Sequence, residues 1–188
     1  MKSFFSVNSI CWSPHERQSS AILACGSSNG SITILECYFE ADYHWHVTTI
    51  SDAHQYGCSV VSWSPETQKK RLASGGWDNV VKIWSYDNAG NWIKEVDLKG
   101  HSGWIRSVAW AKGSTRPMLA SCSQDRTVIV WTKISGTNWT SQKLPIYFNG
   151  LSTIIWRRSC AHCFYNCRRD PFPKVAPFFP DLAGQFFL

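Results

Sequence analysis

Residues 104–110 read WIRSVAW and residues 59–63 read SVVSW, short runs in which apolar and small polar types alternate before closing on a tryptophan. Alternation of period two with β-branched and aromatic types predicts strands. The same pattern recurs at 71–75, 80–84 and 92–98, and again at 118–123, 127–131 and 139–144. Polar turns separate these runs, at Trp77-Asp78-Asn79, at Asp87-Asn88-Ala89-Gly90 and at Gln124-Asp125-Arg126. The longer phrase RLASGGWDNVVKIW at 71–84 returns 47 residues later as MLASCSQDRTVIVW at 118–131. Trp12, Trp63, Trp110 and Trp156 fall at intervals of 51, 47 and 46 residues. A fixed period of this size marks a supersecondary unit copied side by side.

Each copy holds four short strands and leaves no room for helices, so each is a small antiparallel sheet. One such sheet cannot bury both of its faces, and copies stacked radially protect the edges that would otherwise pair with other chains. The chain is therefore expected to be all-β, a fragment of a propeller with about three four-stranded antiparallel blades. The blades are placed at about 7–50, 53–98 and 100–144, with the start of another at 146–156, all within a unit spanning 1–156. The first copy keeps its strands and the hairpin turn Asn29-Gly30, but carries Cys25, Asn29 and Leu35 where the second carries Ser74, Asp78 and Trp84.

Composition changes this picture little. With 44% hydrophobic residues and 14% aromatics the chain is globular. The net charge of +6 is uneven: residues 1–156 hold 14 Lys/Arg against 11 Asp/Glu, and 157–188 hold 5 against 2. No cluster of cations with interleaved aromatics marks a nucleic-acid surface. No apolar run has the length of a secretory signal or a membrane span, which predicts a cytosolic, reducing location without direct membrane insertion. Cys11, Cys25, Cys58 and Cys122 sit singly inside strand patterns and read as reduced core thiols. No phosphate loop, nucleophile elbow or paired-carboxylate motif is visible, so no enzyme and no cofactor are expected.

A Gly-His near the start of a repeat and a tryptophan ending its third strand resemble the WD40 pattern. In WD40 blades a His before the first strand, a Ser or Thr in the second, an Asp in the next turn and that Trp form a hydrogen-bonded relay. By resemblance the relay falls on His54, Ser74, Asp78 and Trp84, and on His101, Ser121, Asp125 and Trp131. Ser, His and Asp also make a catalytic triad, but a constellation that recurs once per blade suits a scaffold better than an active site.

The wording ILACGSSNGSITIL, AHQYGCSVVSWSP, KRLASGGWDNVVKIW, GHSGWIRSVAW and LASCSQDRTVIVWT is similar more specifically to the Sec-thirteen family of WD40 propellers, over residues 7–144. That resemblance implies a non-enzymatic scaffold of the COPII vesicle coat, in transport from endoplasmic reticulum to Golgi, and of the Y-shaped complex of the nuclear pore. It implies protein partners, a Sec-thirty-one-like coat subunit or a nucleoporin, joined by addition of a β-blade from the larger partner. It places the protein at the cytoplasmic face of the endoplasmic reticulum, on COPII vesicles and at the nuclear pore. A general WD40 adaptor that presents peptides to an enzyme complex is the alternative, or a truncated isoform without function.

The family has about six blades and this chain encodes about half of them, which is expected to expose two raw sheet faces and to weaken independent folding. Residues 157–188 lose the alternation, gain four Pro and four Arg, and are expected to form a disordered tail outside the propeller. Cys160, His162, Cys163 and Cys167 lie within eight residues with no second pair downstream, so no zinc site is expected there.

Overall fold

The computed structural model of the chain describes residues 5–14, 20–39, 44–66, 69–87, 89–144, 151–157 and 160–165, the last two as backbone. Strands occupy the alternating segments. Blade one comprises β1 (Val7–Trp12), β2 (Ser20–Ser27), β3 (Ile32–Tyr38) and β4 (His44–Ile50). Blade two comprises β5 (Cys58–Trp63), β6 (Arg71–Gly76), β7 (Val81–Tyr86) and β8 (Trp92–Leu98). Blade three comprises β9 (Ile105–Trp110), β10 (Met118–Ser123), β11 (Val128–Ser135) and β12 (Asn138–Lys143). Each is an antiparallel meander in sequence order. A hairpin of β13 (Leu151–Arg157) and β14 (Cys160–Tyr165) follows. The architecture is a partial WD40-type propeller, and no helix occurs among the described residues.

The blades stack through their innermost strands: β1 lies beside β5, β5 beside β9, and β9 beside β13. Burial follows position in the stack. Strand β2 alternates between buried and partly buried positions, whereas β6 and β10 are buried on both faces from their second residue on, because they are central in sheets that are themselves covered on both sides. Two cores result. The back of blade one (Ile22, Ala24, Ile32, Ile34) meets the front of blade two (Cys58, Val61, Trp63, Leu72). The back of blade two (Ala73, Val81, Ile83) meets the front of blade three (Ile105, Val108, Trp110, Leu119).

The same polar ties repeat at both interfaces. Trp63 Nε1 donates to the Cys11 carbonyl at 2.9 Å, and Trp110 Nε1 to the Ser62 carbonyl at 3.0 Å. Asn8 Nδ2 donates to the Cys58 carbonyl at 2.9 Å and Ser59 Oγ to that of Ile105 at 2.6 Å. Blades two and three are also joined through Glu95, whose carboxylate takes a 2.8 Å bond from Arg71 Nε and a second bond from Lys133 Nζ. Burial raises the Glu95 pKa, but the hydrogen bonds from Lys133 and Arg71 outweigh it and hold the carboxyl below its usual range.

The turn between the second and third strands is alike in all three blades: Gly30, Asn79 and Arg126 adopt left-handed backbone at φ 87°, 67° and 67°. Glycine bears that conformation freely and Asn tolerates it, whereas Arg does so at a cost.

The structure corrects three expectations. Strand β11 does not end at Trp131 but runs to Ser135, because the Lys133 amide bonds the Pro117 carbonyl at 3.0 Å and the chain then turns at Gly136 in left-handed backbone. The change of character at residue 157 is not the end of strand structure, since β14 pairs with β13 from Leu151↔Tyr165 to Arg157↔Cys160. Small and thiol side chains had masked a strand there. Two raw sheet faces were expected among three blades, yet Ala120, Val128 and Val130 on the back of blade three are at most 4% exposed, with β13 packed beside β9 and β10. The expectation of a disordered tail otherwise falls on 166–188, outside the described residues.

Candidate functional site

Besides the Arg71, Glu95 and Lys133 cluster between blades two and three, two groups of buried titratable side chains lie where a pre-strand loop crosses the turn of its own blade. In blade two the loop before β5 carries His54, 1% exposed, which faces β6 and the turn after it. Its Nδ1 lies 2.9 and 3.1 Å from the two oxygens of Asp78, and its Nε2 lies 2.8 Å from Ser74 Oγ. Trp84 Nε1 donates to the same Ser74 oxygen at 2.8 Å. In blade three His101 stands 2.9 Å from Asp125 and 2.8 Å from Ser121 Oγ, and Trp131 Nε1 donates to Ser121 at 2.8 Å. All eight side chains singled out from the sequence are thereby brought together in two groups of four.

Chemistry fixes the direction of the hydrogen bonds. A carboxylate only accepts, so Nδ1 of each imidazole carries the proton and Nε2 is left as acceptor. The seryl hydroxyl then donates to Nε2 while it accepts from the indole. Both hydroxyls are at 0% exposure with donor and acceptor engaged, so neither can reach a substrate. What the arrangement does is tie a loop, two strands and a turn at one buried point.

Each group has a member the sequence did not reveal. Lys82 Nζ donates to the Ala53 carbonyl at 2.7 Å and lies 3.6 Å from Asp78. Thr127 donates from its hydroxyl and from its amide to Asp125 Oδ1, at 2.7 and 2.9 Å. Their only sequence signal is spacing, Thr127 two residues and Lys82 four residues after the turn aspartate. Blade one keeps the turn alone: Asn29 Oδ1 accepts from the Ser31 amide at 3.0 Å and from its hydroxyl at 2.7 Å. His44 and His46, with Trp45 between them, are exposed on β4. Among the described residues no group of three or more His, Cys, Asp or Glu could hold a metal ion. Cys160, His162 and Cys163 are described as backbone only, and Cys167 lies outside the described residues.

The groups impose a pH dependence. Burial lowers the His54 and His101 pKa values, against the pull of Asp78 and Asp125. Burial also raises the pKa of both aspartates, but the bonds from His54 to Asp78, and from Thr127, Ser102 and His101 to Asp125, bring each down to about 2 from 3.8. Every one of these folded-state values lies below its unfolded value, so each group adds stability at higher pH that is lost as pH falls. Thermal melts followed by circular dichroism should therefore show a falling midpoint in two stages. The first begins as pH drops through the unfolded histidine value of 6.5, and the second runs from about 3.8 toward 2. A midpoint that stays flat across that span would contradict the relay.

At the end of the first strands a groove of about 290 Å³ opens between Trp12, Trp63 and Trp110, with Pro14, Pro65 and Lys112 on its rim. It contains no nucleophile paired with a base.

The sequence profile of the WD domain, G-beta repeat family matches residues 2–35, 44–85 and 92–132, the second and third segments each running from the outer strand of one blade through the first three strands of the next. The chain belongs to the WD40 family. It is 42% identical over 128 residues to Protein transport protein SEC13 of Mycosarcoma maydis, covering 55% of this chain and 34% of that protein. It is 39% identical over 118 residues to Protein SEC13 homolog of Drosophila melanogaster, with 55% and 32% covered. Against Protein SEC13 homolog of Homo sapiens it is 42% identical over 98 residues, with 44% and 30% covered. The chain thus spans about a third of the length of these curated relatives, and it resembles a part of a Sec13-like WD40 protein.

Proposed function

We propose that the chain is a non-enzymatic scaffold module of the SEC13 type in protein transport. The observation that carries this reading is the similarity over the blades to a relative named as a protein transport protein. The geometry supports it: the relay side chains lie within the blades as cross-links, and the outer strands β4, β8 and β12 stand exposed at the sheet edges as surfaces for assembly. The coat role at the endoplasmic reticulum, the second role in the nuclear pore, and joining by a β-blade from a Sec-thirty-one-like subunit or a nucleoporin all belong to this proposal. Affinity purification of the tagged chain with mass spectrometry tests it, coat or pore subunits being the expected recovery. Recovery of an enzyme complex without either would overturn it.

One observation favours the adaptor as second reading. At the loop end of the blades Trp77 stacks on Trp104 at 5.6 Å between ring centroids, with Arg106 over the Trp104 ring. Trp104 is 45% exposed. An aromatic and cationic ledge of this kind is a surface on which peptides can rest.

A further inference from the structure

The meander brings the starts of β9 and β11 and the ends of β10 and β12 to one end of blade three. Lys99, Arg106, Arg126 and Lys143 stand exposed there. Asp125, the acid of this end, is 6% exposed, and its oxygens are taken up by His101, Ser102 and Thr127. The surface is therefore cationic, although its members come from four segments and no run of the sequence announces it. The Arg126 backbone points the same way. It is left-handed at φ 67°, where the matching turn of blade one uses Gly30, and strain of this kind clusters where a side chain serves a site.

Beside these cations the Trp77 and Trp104 rings meet across blades two and three. Both blades hold all four strands, so the exposure of the ledge belongs to their own loops. An added Cβ on Gly57 would stand 2.4 Å from the Trp77 ring, which measures how closely that indole lies on the loop before β5. Arg106 lies over the Trp104 ring at 5.5 Å and donates to Gln124 Oε1 at 3.3 Å, so its guanidinium is held in place before any ligand arrives. A nucleotide base stacks on an open ring face. The Trp104 ring already carries Trp77 and Arg106, and what it leaves open is its edge. Ring edges are electropositive and take the face of another aromatic side chain, while a fixed guanidinium donates to carboxylate oxygens.

We propose that this ledge docks a short acidic peptide segment with an aromatic side chain, its carboxylates on Arg106 and Arg126 and its ring against Trp77 and Trp104. The proposal deepens the adaptor reading and rests on it for the presence of a peptide, naming the class of peptide that the ledge takes. Titration of the full chain into a fluorescein-labelled Glu-Phe-Asp-Glu-Phe-Asp peptide, followed by fluorescence anisotropy, tests it. Binding should saturate and should weaken as salt rises. Arg106→Glu should weaken it about tenfold or more with the melting midpoint kept, and Trp104→Ala should weaken it as well. Lys112→Glu, the same change of charge on the rim of the groove at the other end of the first strands, should leave binding unaltered. The companion peptide Gln-Phe-Asn-Gln-Phe-Asn separates the two readings. If it binds as tightly and Trp104→Ala releases both, the ledge takes peptides without regard to charge, and the proposal falls while the adaptor reading stands. Absence of binding by either peptide would remove both. Equal loss with Lys112→Glu, or tighter binding of a single-stranded oligouridylate that Trp104→Ala abolishes, would overturn the proposal as well.

Discussion

Replacing Asp125 by alanine is expected to destabilise the chain by about 3–5 kcal/mol, the cost of removing one partner from a buried charged group. The carboxylate accepts bonds from His101 Nδ1, from the Ser102 amide and from both the amide and the hydroxyl of Thr127. Without it the His101 and Thr127 donors lose their acceptor inside the blade, apart from a 3.3 Å approach of Thr127 to His101, while the Ser102 amide lies at the surface. Since whole domains are stable by only about 5–15 kcal/mol, the variant should lose a large part of its folding free energy. Denaturant titration followed by circular dichroism measures the change. Asn29→Ala supplies the internal control: it alters the matching turn of blade one, where the side chain bonds only Ser31 at the surface, and should cost about 1 kcal/mol or less. Similar values for the two variants would remove the relay as a source of stability.

A comparable loss, about 3 kcal/mol, should follow Gly30→Val. Gly30 sits in left-handed backbone at φ 87°, a conformation that costs an L residue roughly 1–2 kcal/mol and a β-branched one more. Space adds to conformation, because a Cβ at this position would stand 1.9 Å from the His54 carbonyl oxygen. The His54 amide bonds the Gly30 carbonyl at 2.9 Å, so the added side chain would push the loop that carries the blade-two relay away from blade one. Hydrogen exchange should show faster exchange at the His54 amide together with the lower stability. Gly136→Ala isolates the backbone contribution, since Gly136 is also left-handed at φ 49° but a Cβ there meets nothing within 4 Å. If the Gly30 variant were no worse than that one, the close approach of turn and loop would have no energetic weight.

Strand positions were legible because short runs of β-branched and aromatic types mixed with small polar ones stand between polar turns, although β6 and β10 proved buried on both faces; the tryptophan closing β5 and β9 marked the inner strands. The relay groupings around His54 and His101 could be placed by resemblance, since their members recur at constant spacing. The ties between blades were not legible. Cys11 and Ser62 contribute carbonyl oxygens, which carry no sequence signal, and Ser59 looks like any solvent-facing serine in a strand although it bridges to Ile105. The Arg71, Glu95 and Lys133 cluster joins residues from three strands of two blades, so only the packed structure brings them together. The end of β11 was misplaced because Trp131 closes the repeat in sequence while backbone pairing with β12 continues past it.

The indole bonds between blades run one way, from Trp63 to the blade before it and from Trp110 to the blade before that strand. A ribosome delivers the chain in the same order. Each new inner strand therefore emerges to find its acceptor carbonyl already fixed on a finished neighbour, and growth of the stack by successive docking follows the direction of translation.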